Sequence, residues 1–122
     1  MTDAALIAQT YVATWNETDP ARRAAMLAEH WAGDARYLDP LMSGIGHVEI
    51  GALIAAAQQR FPGFRFALHG KADGHNDRVR FSWSLAPAGS DPVVIGTDFV
   101  ELAADGRIRS VTGFLDRVPA GV

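Results

Sequence analysis

Three polar side chains stand among apolar neighbours, and each could take part in proton-transfer chemistry. Tyr11 lies within an apolar helical stripe, Asp98 within a predicted strand, and Asp39 directly before Pro40. A phenol hydroxyl can donate a hydrogen bond into a cavity, and a carboxylate placed there can act as a general base. The alternatives are a core tyrosine whose hydroxyl reaches the surface and an ordinary turn aspartate before proline.

Asp98 has the most apolar surroundings of the three. The residues that share its strand face are Val94, Gly96, Val100 and Leu102. A carboxylate buried among such residues must be paired, or neutralised by a raised pKa. Two interpretations therefore stay open. Asp98 either forms an ion pair with Arg78, Arg80 or Arg109 of a neighbouring strand, or serves as a functional carboxyl in a cavity.

Hydrophobic spacing predicts the helices that would position these groups. Apolar residues at helical intervals predict helices over 4–15 and 47–60. A second helix is predicted to open at Asp19-Pro20, a good N-cap followed by a favoured first residue, and to end near Gly33. Its predicted buried stripe consists of Ala24, Leu27 and Trp31.

Alternating apolar residues replace the helical spacing after Pro62-Gly63. They predict long strands over 64–69, 78–85, 93–102 and 107–116, with a short candidate strand over 35–38. Asp105-Gly106 predicts a hairpin turn, Leu41–Gly46 a loop and Asp73–Asp77 a turn-rich connection. We expect residues 1–122 to form one α+β domain, with three helices packed against a curved antiparallel sheet.

Composition narrows the possible partners. The 122 residues are 48% hydrophobic and 20% charged, with a net charge of -3, no cysteine and no basic cluster. We therefore expect no nucleic-acid partner, and no membrane span because no long apolar run occurs. The first residues lack a basic and apolar secretion signal, which favours a cytoplasmic protein. No thiolate ligands and no histidines at metal-binding spacing are present, so no metal or cofactor is expected.

Several segments together resemble a known family. They are Tyr11–Asn16, Trp31–Pro40, Gly46–Ile50, Gly96–Val100 and Gly113-Phe114. In these segments the chain resembles the SnoaL-like (polyketide cyclase-like) proteins of the nuclear-transport-factor-2-like superfamily. The resemblance implies a cone-shaped, cystatin-like roll around a pocket for a small apolar organic molecule, and a homodimer. It leaves the chemistry open, because enzymes, binding modules and dimerisation domains share this frame.

The resemblance includes the steroid delta-isomerases, whose site combines a helix tyrosine, an Asp-Pro aspartate and a strand aspartate. Tyr11, Asp39 and Asp98 fall on those positions. This implies that Asp39 moves a proton beside a carbonyl, while Tyr11 and neutral Asp98 hold the enolate oxygen. Trp15, His47 and Phe114 are the expected substrate contacts. The alternatives are core packing for Trp15 and a structural role in the first turn of the third helix for His47.

A second enzyme relative favours a different chemistry. Limonene-epoxide hydrolases use an arginine two residues before a strand aspartate, where this chain has Gly96. That function would need Arg78, Arg80 or Arg109 to substitute from another strand. We therefore expect cofactor-free isomerisation or cyclisation of a small carbonyl compound. The alternatives are non-catalytic binding of a small molecule and a dimerisation module whose interface uses Phe81, Trp83 and the alternate face of the last strand.

Overall fold

Aspartate side chains begin the first two helices. In the computed structural model, which describes residues 3–120, helix α1 spans Ala4–Asn16 and α2 spans Pro20–His30. The side chains of Asp3 and Asp19 each accept a hydrogen bond from a backbone N–H of the following turn. Met1 and Thr2, on which the absence of a secretion signal was judged, lie outside the described residues. The third helix, α3, spans Gly46–Arg60, close to its predicted bounds.

The predicted end of the second helix at Gly33 is wrong. Strand β1 begins at Trp31, directly after α2, so Trp31 is a core residue of the sheet. The predicted stripe of α2 also changes, because Ala24 is exposed and Arg23 is buried. The Arg23 guanidinium donates hydrogen bonds to the Glu17 carbonyl and the Gln58 side chain, at 2.8 and 3.1 Å. Those bonds compensate for burying its charge.

Seven strands form one mixed sheet. They are β1 Trp31–Leu38, β2 Ser43–Ile45, β3 Phe64–Leu68, β4 Asp73–His75, β5 Arg78–Pro87, β6 Val94–Leu102 and β7 Ile108–Arg117. The order is β2-β1-β7-β6-β5-β3, and β4 pairs with β5. The α+β roll is confirmed, with two refinements. The β1–β7 pair is parallel, and the short strands β2 and β4 occupy segments predicted as loop and turn.

The inner face of the sheet packs against α1 and α3, and it carries most of the aromatic residues. Tyr11 lies 5.0 Å from Phe81 and 5.6 Å from Trp31, measured between ring centroids. Phe81 is 2% exposed and Trp83 belongs to the cavity described below, so neither can supply an intermolecular interface as expected. The described strand residues with large exposed apolar side chains are instead Leu38, Ile45, Phe99 and Phe114. None of the helices within residues 3–120 is long and apolar enough to cross a bilayer.

Asn16 fastens the end of α1 to the sheet. Its amide nitrogen donates to the Phe66 carbonyl, and its amide oxygen accepts from the Phe66 N–H, both at 2.8 Å. Phe66 belongs to β3, which is an edge strand of the sheet. The Asn16 side chain therefore bonds to its backbone as a neighbouring strand would. Gln58 adds bonds from α3 to the Trp15 and Glu17 carbonyls. These contacts fix the helix that carries Tyr11.

We expect Asn16→Ala to lower the free energy of unfolding by about 1–3 kcal/mol, because both partly buried backbone groups of Phe66 lose their partner. Urea denaturation followed by circular dichroism measures this change. Gln9→Ala, an exposed substitution in the same helix, is the control and should have little effect. Equal stabilities for the two variants would contradict the anchoring role.

Candidate functional site

An apolar cavity opens between α1, the end of α3 and the inner face of the sheet. Its empty volume is about 660 Å³, a figure that includes the solvent-filled space at its open mouth. Its walls include Trp15, Met42, Phe61, Phe66, Trp83 and Leu115. The polar side chains in the lining are Tyr11, Tyr37, Asp39 and Asp98. Within residues 3–120, no lysine, arginine or histidine contributes to the lining.

Asp98 is a buried carboxyl without a counterion. It lies on β6, where it pairs with Phe81 of β5 and Gly113 of β7, and it is 1% exposed. Neither of its oxygens has a hydrogen bond of normal geometry with any described residue. The Tyr11 hydroxyl and the Trp83 indole lie close enough to favour its charged form nonetheless. Such a group is ready to form a hydrogen bond with a ligand.

The ion-pair alternative for Asp98 is wrong, because the three arginines pair with other acids. Arg78 pairs with Asp77 and with Glu101, and Arg109 also pairs with Glu101. Arg80 contacts Asp73 at 3.0 Å. These arginines alternate along their strands with inward-facing residues, so they lie on the outer face of the sheet. None of them lines the cavity that contains Asp98.

Burial and neighbouring charge set the protonation of the cavity groups. Burial raises the pKa of Asp98 to about 6, and the negative charge of Asp39 adds to this while Tyr11 and Trp83 oppose it. Burial and then the charge of Asp98 raise the pKa of Tyr11 well above its usual value. The same two effects, with Asp39 as a further charge, raise the pKa of Tyr37. Both phenols therefore stay protonated and can donate hydrogen bonds.

Asp39 is both a turn residue and a cavity residue. Its Oδ1 accepts hydrogen bonds from the backbone N–H groups of Leu41 and Met42, at 2.8 and 2.9 Å. Its Oδ2 accepts the Tyr37 hydroxyl at 2.6 Å. The turn that Asp-Pro predicts thus orients the carboxylate at the cavity wall. Since an ionised carboxylate offers about four lone-pair positions, one remains on Oδ2 for a ligand proton.

Tyr37 is a site residue that the sequence analysis did not single out. It is 4% exposed and lines the cavity from β1, and its ring centroid lies 5.4 Å from that of Trp15. Its spacing of two residues from Asp39 in an extended segment was the available signal, because such residues face the same side. That signal identifies a shared face, whereas the cavity on that face comes from the tertiary structure.

Gly113 separates the two aspartates. A Cβ atom at this position would lie 2.7 Å from the Asp98 Oδ1 and 3.2 Å from the Asp39 Cβ. The first distance is shorter than real Cβ contacts allow, so any side chain here would displace the Asp98 carboxyl. The missing side chain thus lets Asp39, which follows β1, and Asp98 of β6 approach one cavity from the two sides of β7.

The structure brings four of the six predicted site residues together. Tyr11, Asp39, Asp98 and Trp15 line the cavity. His47 and Phe114 are absent from the lining. The His47 Nε2 lies 2.8 Å from the Trp31 carbonyl oxygen, which is the structural role considered for it, and Phe114 is 59% exposed on β7. Phe114 follows the inward-facing Gly113, so alternation along the strand turns it outward.

Gly96 occupies the position where epoxide hydrolases have an arginine, and the ring of Trp83 fills the space above it. A Cβ atom on Gly96 would lie 2.3 Å from Trp83 Cζ2 and 2.9 Å from the Phe114 carbonyl oxygen. An arginine there would have to expel the tryptophan ring. In the part of the chain that the structure describes, no group of three His, Cys, Asp or Glu side chains could hold a metal ion.

Comparisons with known proteins place this site in a family. The sequence profile of the SnoaL-like domain matches residues 8–111. The chain belongs to the SnoaL-like family. A crystal structure of a candidate isomerase of this family from Agrobacterium tumefaciens str. C58 is 52% identical, with a TM-score of 0.91 and coverage of 95% of this chain and 99% of that one. No functionally curated protein matches the sequence.

More distant structures share only the fold of this SnoaL-like chain. A candidate polyketide cyclase from Sinorhizobium meliloti is 19% identical, with a TM-score of 0.68 and coverage of 88% of this chain and 92% of that one. A cystatin-like protein of unknown function from Methylobium petroleophilum PM1 is 22% identical, with a TM-score of 0.72 and coverage of 98% and 80%. The predicted family and the predicted cystatin-like fold are confirmed.

We expect Asp98→Asn to stabilise the protein at pH 8 but not at pH 4. Because the pKa of Asp98 is about 6 in the folded chain against 3.8 for an exposed aspartate, the folded state keeps a proton that the unfolded state has lost. Stability therefore falls as pH rises from about 4 to 6, and stays reduced above it. Removing the ionisation gains up to about 3 kcal/mol at pH 8, at 1.36 kcal/mol per pKa unit.

Thermal unfolding of wild type and Asp98→Asn across this pH range measures the effect. Asp34→Asn, at an exposed position of β1, is the matched control and should show no such gain. If the stability difference between wild type and Asp98→Asn is the same at pH 4 and pH 8, the ionisation of Asp98 does not lower the stability of the folded chain and the prediction is wrong.

Proposed function

We propose that this SnoaL-like protein binds a small, largely apolar carbonyl compound and catalyses a cofactor-free proton transfer beside the carbonyl group. The observation that carries the proposal is Asp98, a buried and unpartnered carboxyl that shares an apolar cavity with Asp39. Isomerisation and cyclisation through an enolate are the reactions that such a pair supports. The close relative from A. tumefaciens is itself described as a candidate isomerase.

Asp39 is the proposed base. Its carboxylate takes a proton from the carbon next to the carbonyl, and the electrons of that C–H bond move into the enolate. In isomerisation the proton on Asp39, which can first exchange with solvent, then passes to another carbon of the substrate, so no external reactant is needed. Two backbone N–H groups and the Tyr37 hydroxyl hold the carboxylate in place during both steps.

Asp98 and Tyr11 are the proposed donors to the developing enolate oxygen. Burial raises the pKa of Asp98 to about 6, so below that pH its carboxyl is protonated and donates, while Tyr11 keeps its proton at any ordinary pH. Donors placed in a cavity with little water stabilise a developing negative charge more than water does.

The lining also favours uncharged substrates. Two carboxyl groups face the cavity, and the residues described here place no cation in its walls. A phosphate or carboxylate group on a ligand would be desolvated without an opposite charge, which costs several kcal/mol. Aromatic walls such as Trp15, Phe66 and Trp83 suit a ring compound.

Exchange of carbon-bound hydrogen tests the proposal without knowledge of the natural substrate. We expect the wild type to speed up deuterium incorporation next to the carbonyl of one or more cyclic ketones in D₂O, followed by NMR. Asp39→Asn should reduce the enzymatic rate by about 10²–10⁴-fold, because the base is lost. Asp34→Asn, at an exposed position, is the matched control and should retain the wild-type rate.

Ligand binding separates the alternatives. If a ketone raises the melting temperature of wild type and Asp39→Asn alike, while neither protein exchanges its hydrogen, non-catalytic binding is the correct function. If Asp39→Asn exchanges hydrogen at the wild-type rate, Asp39 is not the base. Loss of exchange with retained binding supports the proposed chemistry.

We also propose that two copies associate through the outer face of the sheet. Strand register places Leu38, Thr112 and Phe99 in one row across β1, β7 and β6, and Leu38 and Phe99 are 56% and 40% exposed. Phe114 lies next along β7 after the intervening Gly113 and is also exposed. A cluster of exposed apolar side chains of this kind suits a symmetric, self-complementary contact.

Sedimentation velocity tests the association. The wild type should sediment as a dimer at micromolar concentration, and the double variant Phe99→Asp/Phe114→Asp should sediment as a monomer, because its charges would be buried in the contact. Val48→Asp, which changes an exposed apolar residue of α3, is the control and should stay dimeric. A monomeric wild type would overturn the proposal.

A further inference from the structure

The ring of Trp83 occupies a space that the sheet leaves open for it. The β5–β6 register pairs Trp83 with Gly96, and a Cβ atom on Gly96 would lie 2.3 Å from Trp83 Cζ2 and 2.6 Å from Trp83 Cε2. Both distances are far below a van der Waals contact, so the indole lies directly on the glycine backbone. Residue 96 must be glycine for the ring to lie there.

Phe66 packs against the ring as well. The Phe66 and Trp83 ring centroids are 5.4 Å apart, with the planes at 70° to each other. Since Asn16 hydrogen-bonds the backbone of Phe66, this contact is tied to the anchored end of α1. The indole thus rests on Gly96 and meets the edge-to-face ring of Phe66, which leaves it little freedom to rotate.

Asp98 lies next to this ring. Gly96 and Asp98 are two residues apart on β6, so both face the cavity, and both are buried. The ring atom Cε2, which lies over Gly96, is bonded to the indole nitrogen. Apart from Tyr11, Trp83 is the side chain whose proximity favours the ionised form of Asp98 against burial.

We propose that Trp83 is a positioning residue of this site. Its indole ring, seated on Gly96, holds the Asp98 carboxyl at the cavity wall with the ring N–H beside it. The inference rests on the proposed function in giving Asp98 a role toward substrate, but it concerns the free protein and can be tested without turnover. The Trp83 N–H favours the ionised form of Asp98 and so limits the rise in pKa that burial causes. The missing side chain at Gly96 leaves the space in which the Trp83 ring lies.

The wild-type protein provides the first test. In ¹H–¹⁵N NMR spectra, the indole N–H signal of Trp83 should move with pH, at the same midpoint as the ¹³C signal of the Asp98 carboxyl. Asp98→Asn should abolish that movement. Trp31, which is buried but does not line the cavity, provides an internal control whose indole signal should not follow this midpoint.

Two variants provide the second test. Trp83→Phe keeps a ring over Gly96 but removes the N–H, so the pKa of Asp98 should rise above its wild-type value of about 6. Gly96→Ala should shift it in the same direction, because the added methyl group displaces the ring. Gly33→Ala is the matched control, since a Cβ atom there meets open space. Tyr11→Phe removes the other nearby hydrogen-bond donor. It is the positive control, because it shows how far the pKa of Asp98 rises when one donor is lost.

The outcomes separate this inference from the proposed function. If the Trp83 signal ignores the ionisation of Asp98, and neither Trp83→Phe nor Gly96→Ala shifts the carboxyl titration while Tyr11→Phe does, the positioning role is wrong. Should a variant fail to fold, the wild-type spectra still decide. A coupled titration in a protein that exchanges no ketone hydrogen would support the role of Trp83 and contradict the catalytic proposal.

Discussion

The buried carboxyl of Asp98 is the constraint to which the rest of the site is fitted. An ionisable group without a counterion in an apolar cavity lowers the stability of the folded chain at neutral pH. Arg78, Arg80 and Arg109 of the neighbouring strands could have paired with it, yet they point to the opposite face and pair with other acids. A chain that retains such a group gains a hydrogen-bonding site in return.

Two glycines make room for this arrangement. Gly113 leaves space for the Asp98 carboxyl beside Asp39, and Gly96 leaves space for the ring of Trp83. Both positions face the cavity from the middle of long strands, where glycine is ordinarily unfavourable. The loss of strand stability at these points allows groups from β1, β5, β6 and α1 to meet in one cavity.

The same fold carries different chemistry in different proteins, and the lining explains how this chain differs. The position at which an arginine would serve epoxide hydrolysis is covered by an indole ring here. The Tyr37 hydroxyl holds the carboxylate of Asp39, and the cavity walls within the described chain hold no positive charge. These features favour proton transfer on an uncharged compound over reactions that need a bound anion.

Sequence patterns alone identified most of the helices and strands, together with the polar residues that lie among apolar neighbours. Helical and alternating periods located α1, α3 and the long strands, because these signals are local and extend over many residues. The end of α2 was misplaced, since Trp31 fits the helical period and also begins β1. Strands β2 and β4 have three residues each, too few to carry a period.

Which side chains share the cavity depends on how the strands pair and pack. The parallel β1–β7 pair joins segments about seventy residues apart, and it is this pair that brings Asp39 next to Gly113 and Asp98. The cavity positions of Tyr37 and Trp83, and the absence of His47 and Phe114 from the cavity lining, follow from strand register and packing. Register depends on contacts across the whole sheet, so residue types along the chain could nominate these side chains but could not show which of them share the cavity.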